Sequence, residues 1–155
     1  MKKSIVIFVS LLFPCIAVFA SQSPIFRTVD LNAGRSITLG EEFSKVEDLF
    51  VKVGSGYKLK PGTFAGTKSI TVYLTRANRI KSIHFEYEPG VNLNTYLGSY
   101  TRMLGKPSGR SVLDASSMQV ELIFWEDEKT KFELMRKMER EETSVSSALF
   151  DKSAK

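Results

Sequence analysis

Two segments of alternating apolar and polar residues constrain the fold of this chain most strongly. The first is Ile70–Tyr87, with turn-forming residues at Arg76–Arg79, and the second is Met118–Met138, with a charged turn at Glu126–Lys129. A period of two residues is typical of a strand that buries one face. Each segment therefore predicts an antiparallel β-hairpin that buries one face.

Pairing the first hairpin about its turn predicts which residues share each face. Val72 then lies opposite Ile83 on the core face, and Thr71 lies opposite His84 on the other face. Antiparallel sheets commonly expose one face to water, so the second face is expected to be polar and solvated. Its predicted members are Thr71, Tyr73, Thr75, Ser82, His84 and Glu86.

The second hairpin contains Trp125, the single tryptophan of the chain. Pairing across the charged turn predicts that Trp125 lies at the edge of the core. Val120, Leu122 and Phe124 then point away from that core, and such apolar residues need a cover from a helix, the C-terminal segment or a partner. The predicted pairs are Trp125–Thr130, Ile123–Phe132 and Glu121–Leu134.

Helical periodicity precedes each hairpin. A capping-box pattern and apolar residues at helical spacing predict a first helix over Glu41–Val53, ended by Gly54. Asn92 or Asn94 can cap a second helix, which Gly105 ends. The apolar positions of that second helix are Leu93, Leu97, Tyr100 and Leu104.

The spacing of these landmarks predicts an internal repeat. Corresponding positions recur at offsets of 51, 50 and 50 residues, namely Gly54 and Gly105, Ile70 and Val120, Arg76 and Glu126. Two helix–loop–hairpin copies, at about 36–90 and 91–151, predict a single α+β domain over 21–155 with helices on one face of an antiparallel sheet. Weaker patterns predict an edge strand at Phe26–Leu31 and a third strand of the second half at Ser144–Phe150.

The N-terminal segment Met1–Ala20 has the pattern of a secretory signal peptide. Lys2 and Lys3 precede an apolar stretch too short to span a membrane, and Ala20 ends a small-residue cleavage pattern. We therefore expect an exported protein, periplasmic or secreted. Anchoring by a lipid on Cys15 is a weaker alternative, because Pro14 stands where a lipobox has a small residue.

The remaining composition excludes several classes of function. Removing Lys2 and Lys3 from 22 basic residues leaves 20 against 17 acidic residues, a net charge of +3 with the signs interspersed. A nucleic-acid surface needs clustered cations, so no nucleic-acid partner is expected. The acids Glu126–Glu128 lack the glycine and ligand spacing of a calcium loop, and no thiol follows Cys15. We expect no cofactor and no metal.

Two short motifs and the hairpins resemble known envelope modules. Ile37–Gly40, Leu104–Pro107 and the two hairpins are similar to helix-then-meander modules of small outer-membrane-assembly lipoproteins of the SmpA type. In tandem they resemble inhibitors of the beta-lactamase inhibitory protein type. The resemblance spans Ser36–Met138 and implies an adaptor or inhibitor that binds another protein. The chain lacks a lipobox and the inhibitor's cysteine pairs, so no partner and no functional residue is carried over.

Three functions follow from these patterns. The favoured one is a non-enzymatic module that binds another envelope or extracellular protein; the sequence gives no support for peripheral membrane contact. A carrier of a small ligand or lipid is the alternative and needs an apolar cavity. A hydrolase using His84, the single histidine, lacks partners placed by the sequence. The predicted binding residues are Thr71, Tyr73, Ser82, His84, Glu86, Leu122 and Phe124.

Overall fold

The computed structural model describes residues 24–63, 67–140 and 142–154. Most of this part is β-structure, with one α-helix and short 3-10 turns at Asn32–Gly34, Phe43–Lys45 and Glu47–Leu49. The elements are β1 (Thr28–Asp30), β2 (Ser36–Thr38), β3 (Phe50–Val53), β4 (Gly56–Leu59), β5 (Ser69–Leu74), β6 (Ile80–Glu86), α1 (Leu93–Leu104), β7 (Gly109–Ala115), β8 (Met118–Glu126), β9 (Thr130–Glu139) and β10 (Glu142–Asp151). The predicted signal peptide and Cys15 lie outside the described residues.

Eight strands form one antiparallel sheet in the order β3-β4-β5-β6-β10-β9-β8-β7. The predicted third strand at Ser144–Phe150 is confirmed within β10, but it pairs with both β6 and β9. It therefore lies at the middle of the sheet and joins the two hairpins. The predicted N-terminal edge strand is also confirmed in part, since β1 pairs with β2 in a separate two-stranded sheet.

One face of the large sheet carries the core. The helix α1 and the N-terminal segment pack on it: the ring of Tyr100 lies 4.4 Å from that of Phe132, and Phe26 lies 5.7 Å from the same ring. Trp125 is almost fully buried there and donates a hydrogen bond from Nε1 to the carbonyl of Gly105 at 2.9 Å. It belongs to the core itself, deeper than the predicted edge position. Among the described residues, no helix has the length and apolarity to span a membrane.

The predicted α+β class is wrong, because the first helix does not form. Residues 41–53 instead make two 3-10 turns and β3. The helical spacing did identify buried residues, since Phe43, Val46 and Phe50 are all buried. Gly54, with a φ of 58°, sits in the tight turn that pairs Val53 with Gly56, where positive φ suits a two-residue hairpin loop.

The second predicted helix is confirmed as α1. The Asn92 side chain accepts a hydrogen bond from the Asn94 backbone N–H at 2.8 Å, and Gly105 follows the last turn with a φ of 83°. The next segment, predicted to be a loop, contains β7. The two proposed repeat copies therefore differ: the second begins with the helix α1, whereas the first has 3-10 turns before its strand β3.

The first hairpin has the predicted register, with Val72 opposite Ile83 and Thr71 opposite His84. The second is shifted by two residues, so its faces are as predicted but its pairs are not. The observed pairs are Trp125–Phe132, Ile123–Leu134 and Glu121–Arg136. The shift arises because Asp127 accepts hydrogen bonds from the backbone N–H groups of Lys129 and Thr130 and so closes the turn over Asp127–Thr130.

Candidate functional site on the open face of the sheet

All seven predicted binding residues lie on one face of the eight-stranded sheet, opposite the core. Directly paired residues share a face, and one cross-strand row connects the two hairpins through β10. The row runs Thr71, His84, Ala148, Glu133, Phe124 and Gly109. We call this surface the open face. The sequence predicted both halves of it, but not that they form one surface.

Aromatic side chains and one lysine form a continuous line across the open face. Tyr73 meets His84 edge to face at 4.9 Å between centroids, and His84 meets Phe150 in the same way at 5.4 Å. Lys131 lies opposite Phe150 in the sheet, and its Nζ is 4.9 Å from the centre of the Phe124 ring. We call these five residues the ring row. It crosses five neighbouring strands, which follow the sheet order β5, β6, β10, β9 and β8.

A glycine supports the aromatic ring at each end of the ring row. A Cβ added to Gly56 would lie 3.1 Å from Tyr73 Cε1, and one added to Gly109 would lie 2.5 Å from Phe124 Cζ. Glycine in a strand often marks a close approach of another group to the backbone. Gly56 and Gly109 thus let the Tyr73 and Phe124 rings lie directly over the neighbouring strands.

A shallow cavity of about 240 Å³ opens beside the ring row. Tyr73, His84 and Phe150 bound one side of it, and Glu133 and Met135 lie on β9 at the other. The Glu133 carboxylate forms an ion pair with Lys131 Nζ at 2.6 Å. The surface therefore combines flat rings with one paired acid and base.

His84 is half-buried, and this burial favours the neutral form of its imidazole. Burial lowers the pKa of the imidazole below its usual value, and the nearby Glu133 carboxylate opposes that shift. Its Nε2 lies 3.0 Å from Ser82 Oγ, the one close polar contact it makes within its own strand. Ser82 is 4% exposed, so its hydroxyl orients the histidine and is not presented to a substrate.

Strand residues reduce the exposure of Leu122 and Phe124, two of the three apolar residues that were predicted to need a cover. Phe124 lies between Gly109 and the Lys131 ammonium group, and Leu122 lies opposite Met135. Both residues are half-buried. Leu113, on the same face at the sheet edge, is 61% exposed. The apolar part of the open face therefore remains accessible to a partner.

A second cleft, of about 370 Å³, lies on the opposite side of the sheet between β1, β6 and α1. Three tyrosines contribute to its wall: the hydroxyl of Tyr87 lies 2.9 Å from that of Tyr100 and 2.7 Å from Ser147 Oγ, and Tyr96 lies beside them. Burial raises the pKa of both Tyr87 and Tyr100. This cleft was not predicted, although Tyr96 and Tyr100, four residues apart on α1, indicate an aromatic helix face.

Within residues 24–63, 67–140 and 142–154, no group of three or more His, Cys, Asp or Glu side chains is placed to hold a metal ion. Comparison with protein-family models finds no match, and no curated protein and no solved structure is significantly similar to the chain.

Proposed function

We propose that this protein is an exported, non-enzymatic module that binds another envelope or extracellular protein through its open face. The observation that carries the proposal is the ring row, a line of half-buried aromatic rings and one lysine held on a broad sheet. Export rests on the signal-peptide pattern of Met1–Ala20. The adaptor and inhibitor classes implied by the resemblance remain a prediction.

The physical argument is preorganisation. Aromatic residues are enriched in protein interfaces, and a surface already ordered before binding loses little conformational entropy on association. Tyr73, His84 and Phe150 hold one another by edge-to-face contacts on hydrogen-bonded strands. A partner would therefore meet a rigid aromatic surface, with polar groups such as Thr71 and Glu86 beside it.

Hydrolysis by His84 has weaker support. A serine hydrolase needs an accessible nucleophile next to its base. Ser82 is close to His84 but buried. Glu133, the carboxylate near His84, is paired with Lys131. The role best supported for His84 is a neutral ring within a contact surface.

A small-ligand carrier is the second candidate, and the tyrosine-lined cleft favours it. Its volume of about 370 Å³ lies within the range of small-molecule sites, and its wall is largely aromatic. Addition of small aromatic compounds should then change NMR signals of Tyr96 and Tyr100 and the fluorescence of Trp125, whose ring lies 6.3 Å from that of Tyr100. Saturable changes at these residues would support the carrier function.

Affinity capture from an envelope extract tests the binding function. Wild type is compared with Tyr73→Ala, with Phe124→Ala and with the matched control Met103→Ala. Met103 is 53% exposed on α1, away from the open face. We expect one co-purifying protein to be lost with the two open-face variants and retained with the control. Equal capture by all four proteins, each shown to be folded, would contradict the proposed surface.

A further inference from the structure

One edge of the large sheet is a long strand with exposed apolar side chains. β7 is the terminal strand of the sheet, and Val112 and Leu113 at its middle are 56% and 61% exposed. A terminal strand presents backbone N–H and C=O groups that can pair with another strand. The inference drawn from this edge does not depend on the proposed function.

The sequence of β7 is complementary to itself in the antiparallel direction. If two copies pair about a two-fold axis at Val112, every residue of the strand finds a partner. Arg110 of each copy then lies opposite Asp114 of the other, so this pair occurs twice. The two Val112 residues lie opposite each other. The complete set of pairs is Gly109–Ala115, Arg110–Asp114, Ser111–Leu113 and Val112–Val112. Opposite charges placed directly across an antiparallel pair are stabilising.

The cluster of charged side chains beside β7 contains two arginines and only one carboxylate. Glu121 is buried and forms ion pairs with both Arg110, at 2.5 Å, and Arg136, at 2.6 Å. Two cations thus share one anion, and Arg136 Nε is buried without a hydrogen-bond partner in the described part of the chain. Asp114 of a second copy would lie next to Arg110 and balance this cluster.

We propose that a second copy of this chain pairs with β7 and joins two eight-stranded sheets into one continuous sheet. The opposite edge strand, β3, does not offer the same complementarity. Its sequence, Phe50–Val53, contains Lys52 and no acidic residue, so no opposite-charge pair forms between two copies. The open face remains accessible in the dimer because pairing uses the strand edge.

Disulfide trapping tests the two-fold axis. The full chain is used with Cys15→Ser, so that an introduced cysteine is the only one. Val112→Cys places two thiols directly opposite each other, at a Cα separation that antiparallel pairs and disulfides share. Val51→Cys on β3 is the matched control, since Val51 is 52% exposed. We expect a covalent dimer with Val112→Cys and a monomer with the control. Equal trapping at both sites, or none at Val112, would overturn the proposal.

Exchanging charges tests the register. Arg110→Glu and Asp114→Lys each place like charges opposite one another, and each should weaken self-association roughly tenfold or more. Mixed together, the two variants bring Glu at 110 opposite Lys at 114 and should form a heterodimer, measured by sedimentation velocity after circular dichroism confirms folding. A wild-type protein that remains monomeric at high concentration, or variants that dimerise alone as wild type does, would show that β7 is not the interface.

Discussion

Tyr73 and His84 meet edge to face across β5 and β6, with their ring centroids 4.9 Å apart. The same imidazole meets Phe150 on its other side at 5.4 Å. His84 is therefore held between two aromatic rings on a surface that faces away from the core. Its neighbours stabilise the sheet and also define the shape that a partner would contact.

Removing the Tyr73 ring should abolish capture of the partner while the protein still folds. An edge-to-face aromatic pair contributes about 0.5–1.5 kcal/mol beyond the area it buries, and alanine also loses that buried area, so Tyr73→Ala should lower the free energy of unfolding by at least that amount. Urea denaturation measures the change. Tyr73→Phe retains the ring and is the control: it should keep both the stability and the capture of the partner that Tyr73→Ala loses.

The stability of the protein should depend on His84 below pH 6.5. The folded state lowers the pKa of His84 from 6.5, so the unfolded state binds more protons as the pH falls. The stabilisation is complete above pH 6.5 and is lost as the pH falls from 6.5 through the lower folded pKa. In that window the slope approaches about 1.4 kcal/mol per pH unit.

The variant His84→Gln lacks this titration. Urea unfolding of the wild type and of His84→Gln between pH 7.5 and 5 should give curves whose separation changes as the pH falls. Because the carboxylates are common to both proteins, the difference between the curves isolates the histidine. Parallel curves over the whole range would contradict a lowered pKa for His84 in the folded state.

Gly109→Ala and Gly98→Ala should have opposite effects. A Cβ at Gly109 would lie 2.5 Å from Phe124 Cζ, so the ring must move, at a cost of about 1–3 kcal/mol. Gly98 lies in α1 with nothing within 4 Å of an added Cβ, and alanine there should stabilise the helix by about 1 kcal/mol. Thermal unfolding measures both. A Gly109→Ala protein at least as stable as the wild type would show that the Phe124 ring does not depend on the glycine.

The ion pair between Arg27 and Asp151 should stabilise the fold by fastening the N-terminal segment to the end of β10. Arg27 Nη2 lies 2.7 Å from Asp151 Oδ2, and Arg27 also donates to Thr130 Oγ1 at 2.9 Å. Arg27→Met leaves the carboxylate buried and should cost about 2 kcal/mol. The control is Arg79→Met, whose partner Glu42 is exposed; it should change stability by less than about 0.5 kcal/mol. Equal decreases in the free energy of unfolding for the two variants, measured in urea, would contradict a larger contribution from Arg27.

Local patterns predicted the parts of the fold that are local. The register of the first hairpin and the cap of α1 follow from residues within a few positions of each other, and both are confirmed. The helix predicted over residues 41–53 was wrong because a helical stripe and a turn-connected strand bury the same side chains there. The two-residue register error came from Asp127, whose hydrogen bonds to Lys129 and Thr130 move the four-residue turn one position along the chain.

The candidate site needed information that no local pattern contains. Tyr73 and Phe124 were both predicted to point away from the core, but their position in one row depends on β10 pairing with β6 and β9. Phe150 and Lys131 were missed for the same reason, since their role appears only when the strands are side by side. Gly56 and Gly109, glycines within strands, were the one sequence signal that could have indicated overlying rings.

The central position of β10 has a consequence for the order of assembly. β10 is the last of the described strands, yet the two groups β3–β6 and β7–β9 are hydrogen-bonded to each other through it. Without Glu142–Asp151 in place, β6 and β9 are the unpaired edges of two half-sheets. Such edges attract other strands, so a chain in which β10 has not yet paired is exposed to mispairing.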